Sequence, residues 1–324
     1  MALKQVLEIL DLLDSARASG EAAAALLKGR GLDRVRVTLV EGERGSTDLV
    51  QVVIPGRRGK AAGGQAPTLG VIGRLGAIGA RPTMIGLVSD GDGAVVALAV
   101  ALKLADMRAA GDSLPGDVIV TTHVAPYAPT QPHKPVPFMG SPVGSSVMTR
   151  AEANAAMEAI LSVDTTKGNR IVNHRGIAIS PTVKAGWILR VSEDLLDVLQ
   201  IVTGRPPVVL PITMQDLTPY GNDLYHLNSI LQPATATDAP VVGVAITAEV
   251  AVPGCATGAS HEVDIEQAVR FCIEVAKAFG QGKCAFYDQA EYARIMTRYG
   301  SMARLQGSGT AGNTEKRKNG KRKA

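Results

Sequence analysis

The segment PTLGVIGRLGAIGARPTMIGLVSDGDGAVVALAVALKL, Pro67 to Leu104, decides the fold. It reads as a buried strand (Thr68 to Ile72), a glycine-rich turn, a second apolar run (Met84 to Val88), an acidic turn and a helix. Runs of Val, Ile and Leu bounded by Gly suit a strand covered on both faces. Ser89 or Asp90 is placed to cap the helix, because a short side-chain oxygen satisfies its free N–H groups. An acidic turn that leaves a strand and enters a helix is where open α/β sheets place ligands.

Outward from this stretch, strands and helices alternate. Helical spacing covers 2–14, 21–28, 94–110, 149–159 and 220–231, a helix opens at Ser192, and the closing helices are 261–279 and 288–304. Residues 35–40 and 48–54 alternate apolar and polar around EGERGST and read as a hairpin. Short strands are expected at 117–121, 159–163, 176–181, 208–212 and 240–248. The loop 56–65, GRRGKAAGGQ, lacks the Walker spacing and reads as a mobile, solvated connection. PYAPTQPHKPVPFMGSP, Tyr127 among its prolines, reads as a rigid wall or lid directly after a buried strand.

This pattern predicts one three-layer α/β domain over residues 1–306, with a mixed, mostly parallel sheet, and a disordered basic tail over 307–324. The chain is 46% hydrophobic but only 3% aromatic, so aliphatic side chains build the core. The net charge of +4 is owed to the tail, where 315–324 hold six Lys/Arg and one Glu. The body is therefore near neutral, which argues against specific nucleic-acid binding. Three cysteines without a CxxC pair fit a reducing cytoplasm, and no apolar run is long enough for a membrane span.

Several expected strands end in a residue able to bind a metal: Asp90 and Asp92 beside the second apolar run, then His123, Asp164 and Glu249. Strand ends of one polarity meet at one edge of an open sheet. Carboxylate and imidazole donors gathered there suit zinc or manganese, and a bound ion activates water and polarises a carbonyl. The competing roles are ordinary: Asp and Ser cap helices, and a single His is usually a hydrogen-bonded packing residue. Cys255 in PGCATGASHE precedes His261 closely enough for a thiol–imidazole pair if the loop folds back. A small buried cysteine in a tight turn is the plainer reading.

The phrases SDGDGAVVALAVALKL, THVAPYAPTQPHKPVPFMGSPV, ILSVDTTKGNRIVNH and NSILQPATATDAPVVGVAITAEVAVPGCATGASHEVDIEQA resemble the prokaryotic family called domain of unknown function 1177. More distantly, the order of elements is similar to the co-catalytic zinc aminopeptidases and their deacylase relatives. That resemblance implies a zinc-aminopeptidase-like fold and an acidic metal site. It sets SDGDG on an Asp-Asp turn, Thr122 and His123 on a Glu-Glu strand, and Asp164 on a retained carboxylate. Arg74 and Gly76 fall where a His and an Asp belong, and Glu249 or His261 stands near a late His. Losing the base carboxylate at Thr122 removes the group that would deprotonate water.

The first functional expectation is an aminopeptidase-like or amidohydrolase-like hydrolase of small peptides or amide metabolites. His123, Asp164 and Asp92 are its candidate catalytic residues, and Arg74, His226 and His261 its candidate substrate contacts. Asp90, His123, Asp164 and Glu249 are the candidate ligands of a zinc or manganese ion. Arg74 is expected to pair with Asp90 or to grip a substrate carboxylate. The rival expectations are a non-catalytic, self-assembling homo-oligomer on a degenerate peptidase scaffold, and a cysteine enzyme using Cys255 and His261.

Overall fold

A computed structural model describes residues 1–74, 86–134 and 136–307. Its helices are α1 (Leu3–Leu13), α2 (Gly20–Gly29), α3 (Asp92–Ala109), α4 (Ser145–Glu152), α5 (Glu193–Thr203), α6 (Glu262–Gly280) and α7 (Gln289–Tyr299). Its strands are β1 (Val35–Gly42), β2 (Gly45–Ile54), β3 (Leu69–Gly73), β4 (Val118–Val124), β5 (Thr130–Gln131), β6 (Phe138–Met139), β7 (Ala159–Thr166), β8 (Gly176–Ile179), β9 (Val183–Lys184), β10 (Trp187–Ile188) and β11 (Val241–Thr247). Beyond Gly307 the basic tail lies outside the described residues.

The main sheet runs β1-β2-β4-β3-β7-β11-β9-β10, with β8 also on β11, and β5-β6 form a separate ribbon. Its centre is parallel: β3 lies between β4 and β7, and β11 extends β7. The β1–β2 hairpin joins antiparallel through β2 to β4, and β8 and β9 join antiparallel to β11. This is the expected α/β fold with a mixed sheet built around parallel strands.

Alternate side chains of the central strands enter different cores, as a period of two requires. Val71, Leu161 and Val244 join the core shared with α1, α3, α5 and α6, whereas Ile72, Ile160 and Ala245 join the core on the other face. Burial on both faces explains why these strands read as unbroken apolar runs. The second face is closed by α4 and by 3-10 turns at Met214–Leu217 and Gln232–Thr235. Helix α3 is apolar around most of its circumference because it is buried among α1, α6 and the sheet.

Two glycines set the start of α3. A Cβ on Gly73 would lie 2.3 Å from the Gly93 carbonyl oxygen, and one on Gly93 would lie 2.5 Å and 2.6 Å from the Arg74 and Val163 carbonyl oxygens. The helix entrance therefore sits directly on the ends of β3 and β7.

Several local readings change. Residues 84–85 of the second apolar run lie outside the described residues, and Gly86–Val88 form only an isolated bridge, Val88 to Thr257. A 3-10 turn, Ser89–Gly91, precedes α3, and neither Ser89 nor Asp90 caps it. The Ser89 hydroxyl instead donates to the Gly254 carbonyl (2.9 Å). The loop 56–65 is not a mobile connection, because buried Asp117 accepts hydrogen bonds from the Gly56 and Ala61 amides (2.8 and 2.7 Å). Of the strand expected at 208–212 only an isolated parallel bridge remains, Val209 to Ile179, and residues 220–231 are irregular, their backbone held by hydrogen bonds to Asp216 and Gln232. Helix α4 lies earlier than 149–159, and its last residue, Glu152, is fully buried.

Candidate active site

The parallel strands and the entrance of α3 deliver five expected residues to one edge. Arg74 follows β3, His123 lies in the last turn of the β4 pleat, Asp164 is near the end of β7, and α3 brings Asp92 with Asp90 just before it. Arg74 is fixed by its backbone amide, which donates to the Val163 carbonyl (2.8 Å). Glu152 arrives from α4, where the Thr121 hydroxyl donates to its carbonyl (2.9 Å).

Two buried ion pairs organise the edge. The Arg74 guanidinium binds the Glu152 carboxylate, with both side chains almost wholly out of solvent. The Lys167 ammonium lies 3.1 Å from Asp92 Oδ2, with 2% of its side chain exposed, and the Ser260 hydroxyl donates to the other Asp92 oxygen. Between them sits Asp164, which accepts from the Ser229 hydroxyl (2.5 Å) and the Thr165 amide (2.7 Å). Asp90 is held more weakly: the Cys255 thiol lies 3.9 Å from its Oδ2. Its carboxylate packs against Gly254, where a Cβ would come within 2.0 Å of Oδ1.

The electrostatics follow from this inventory. Among the described residues, four buried or mostly buried carboxylates, Asp90, Asp92, Glu152 and Asp164, face the two cations Arg74 and Lys167. Burial, then the charges of Asp164 and Asp92, push the Asp90 carboxyl up to about 7. Burial also raises Asp92 to about 6, opposed chiefly by Lys167. Glu152 and Asp164 are raised by burial, with Arg74 opposing in both cases.

His123 is neutral, since burial and then Arg74 lower it to about 3. Its Nδ1 is 3.0 Å from the Thr47 hydroxyl oxygen, and that hydroxyl donates to the Val124 carbonyl (2.9 Å). His123 Nε2 lies 3.8 Å from Glu152 Oε1. The Thr122 hydroxyl, on the strand where a base carboxylate is implied, donates to the Gly73 carbonyl (2.9 Å).

Asp90, Asp92, Asp164, Arg74 and His123 thus share one edge, in pairings that differ from those expected. Arg74 does not reach for Asp90 or a substrate carboxylate; Glu152 holds it inside the protein. Glu249 is exposed beyond β11 and stands apart from the buried set. His261 lies at the start of α6, with Nδ1 3.6 Å from Asp264 Oδ2, and reaches the site only as a charge near Asp92. His226 packs its ring on Tyr220 (centroids 4.4 Å apart) and bonds to Thr218 and the Leu224 carbonyl. Tyr220 in turn feels Asp164 and Ser229, so His226 stands one side chain back from the cluster.

Cys255 does not pair with His261 as a nucleophile. Its sulfur accepts from the Met139 amide (3.1 Å) and donates to Asp90, and burial followed by the Asp90 charge keeps the thiol protonated. The proposed metal set, Asp90, His123, Asp164 and Glu249, is not assembled either. Among the described residues no three His, Cys, Asp or Glu side chains are grouped to hold an ion. The physical reason is local: Arg74 and Lys167 bring fixed positive charge among the carboxylates, while Glu249 is exposed to solvent. These residues do not fit zinc or manganese.

Sequence reasoning missed Glu152, Lys167, Ser229 and Ser260. Lys167 had a signal, since a lysine directly after the buried run ILSVDTT is poorly placed for solvent. Glu152 had none, because its burial depends on where α4 ends. A hollow of about 1300 Å³ opens elsewhere, against Pro67, Met157, Glu158 and Pro240 at the beginnings of the parallel strands. It lies away from the buried ion pairs, and the chemistry-bearing residues define the site better than the size of the hollow does.

Fold and site together define an α/β protein whose ionisable groups converge at the C-terminal edge of a parallel sheet centre. The chain belongs to the family described as "Protein of unknown function (DUF1177)", whose model matches residues 38–309. Among solved structures it is similar to a glutaminyl cyclase from an Acidobacteriales bacterium, at 13% identity and a TM-score of 0.50, covering 87% of this chain and 94% of that one. It is also similar to the LapA aminopeptidase of Legionella pneumophila, at 13% identity and a TM-score of 0.48, covering 85% of this chain and 72% of that one. No curated protein matches it. At such identity the likeness to solved structures is one of fold. No helix among the described residues is long and apolar enough to cross a membrane.

Proposed function

We propose that the chain is a hydrolase of small peptides or amide metabolites, with its site at the edge where Arg74, Asp90, Asp92, Glu152 and Asp164 meet. Residues 1–306 act as one unit, in a cytoplasm where three unpaired cysteines remain reduced. The observation that carries this reading is the placement of Asp90. It is a mostly buried carboxyl raised to about 7, beside a fixed cation–carboxylate array. A general base works best when its pKa lies near the working pH. Asp90 takes a proton from water as the water oxygen bonds to the amide carbon, and returns it to the departing nitrogen as the C–N bond breaks. Asp92, anchored by Lys167 and Ser260, and Asp164, anchored by Ser229, hold the surrounding field in place.

The test is release of amine from a panel of aminoacyl amides, dipeptides and N-acyl amino acids, by wild-type protein and Asp90→Asn. Turnover that falls on the order of 100-fold or more in the variant supports the reading. A folded wild-type protein that leaves the whole panel intact removes it.

A second reading is a non-catalytic, self-associating protein. It is favoured by exposed Tyr225, Val250 and Ile171 on loops near the same edge, and by the commitment of both cations to internal carboxylates. Sedimentation velocity separates the two, since this reading requires an assembly that dissociates when Tyr225 and Val250 become Ser.

A further inference from the structure

Lysine is seldom fully buried without a fixed partner, and Lys167 is buried for a structural reason. On its N-terminal side, the Thr165 hydroxyl donates to the Ser89 carbonyl (2.7 Å) and ties β7 to the turn before α3. On its C-terminal side, a Cβ on Gly168 would come within 2.1 Å of the Val250 carbonyl oxygen, so the backbone is pressed against the loop after β11. Between these fixed points the Lys167 side chain turns inward, reaching Asp92 at 3.1 Å and acting as a charge on Asp90. Ser260 occupies the other Asp92 oxygen. Among the described residues, the cation paired with this acidic turn is Lys167, supplied by the polypeptide.

We infer that the ammonium of Lys167 is the resident cation of the Asp90–Asp92 turn, occupying from within the protein the place that an external cation would otherwise take. An incoming divalent ion would have to displace a tethered ammonium from Asp92 and would meet its positive charge at close range. Charge–charge repulsion in a poorly solvated site is strong, so the cluster rejects divalent ions while keeping its carboxylates together. The inference concerns how the site is neutralised, and it stands whether or not an amide is turned over.

Chemical rescue of melting tests it without reference to activity. Lys167→Ala leaves Asp92 buried without its cation and is expected to melt roughly 4–8 °C below wild type, as loss of a buried ion partner does in a chain of this size. Added n-propylammonium, which restores the atoms removed, recovers at least half of that loss. It leaves wild type and Lys167→Met unmoved, and sodium chloride at equal ionic strength does not substitute. Manganese, zinc and EDTA leave the wild-type melting temperature unchanged.

If Lys167→Ala does not fold, the pair is read from Lys167→Met, Asp92→Asn and their double variant, whose loss must be well below the sum of the two single losses. Strictly additive losses overturn the inference. So does a folded Lys167→Ala protein indifferent to propylammonium, or a wild-type protein stabilised by manganese in a manner that Asp92→Asn abolishes.

Discussion

Replacing Arg74 by Met should be among the most damaging single changes at this edge. The substitution keeps an unbranched apolar stem of similar length and removes only the guanidinium. It leaves Glu152, with no solvent exposure, without its cation. Breaking a buried pair from one side costs about 3–5 kcal/mol, because the remaining charge is desolvated and unpaired. Each kcal/mol moves the melting temperature of a protein of this size by about 1.5 °C, so a fall on the order of 5 °C is expected.

The loss should shrink in acid. Burial already raises the Glu152 carboxyl, and without Arg74 it rises further. A raised carboxyl binds its proton in the folded state while the unfolded chain has released it. Stability is therefore lost as pH climbs from the unfolded value of about 4.3 through the folded one, and is regained below that window. Removing both partners, Arg74→Met with Glu152→Leu, should recover most of the loss, since an apolar pair of similar volume replaces a buried ion pair at little cost. Thermal melts of Arg74→Met, Glu152→Leu and the double variant at pH 5 and pH 8 provide the readout. A single variant within about 1 kcal/mol of wild type, or a double variant as unstable as the sum of its parts, would refute the reasoning.

Three further outcomes follow from the same geometry. Asp90, raised to about 7, should make wild-type stability decline between about pH 4 and pH 7, with a limiting slope of about 1.4 kcal/mol per pH unit, and Asp90→Asn should flatten that slope in urea titrations. Gly93→Ala should destabilise by about 1–3 kcal/mol or more, because its Cβ meets two backbone carbonyls rather than a side chain that can move, and the melting temperature reports it. Asp117→Ala strips the acceptor from two amides of the 56–65 loop, so about 1–3 kcal/mol should be lost and trypsin should cut at Arg57, Arg58 or Lys60 far faster than in wild type.

The parallel centre was legible because burial on both faces leaves a direct mark on composition. Leu69–Gly73 and Val241–Thr247 are fully buried and read as apolar runs bounded by Gly, Pro or polar residues. The convergence of Asp90, Asp92, Asp164, Arg74 and His123 followed from strand polarity, which chain order largely dictates. Partner choice was not legible. Arg74 pairs with Glu152 instead of Asp90 because α4 ends against β4, and that contact depends on the length of the preceding loop. The run 220–231 has helical apolar spacing, yet it covers the sheet as an irregular segment pinned by Asp216 and Gln232. Glu249 shows the limit of reading strand ends: β11 stops at Thr247, and two residues further on the chain has already turned into solvent.

The claim that the chain's own cations neutralise its strand-end carboxylates is tested most directly by anomalous diffraction from crystals grown with manganese or zinc. The account predicts no anomalous peak among Asp90, Asp92 and Asp164, with Lys167 Nζ remaining about 3 Å from Asp92 and Arg74 on Glu152. A metal peak ligated by those aspartates, with Lys167 displaced toward solvent, would contradict it.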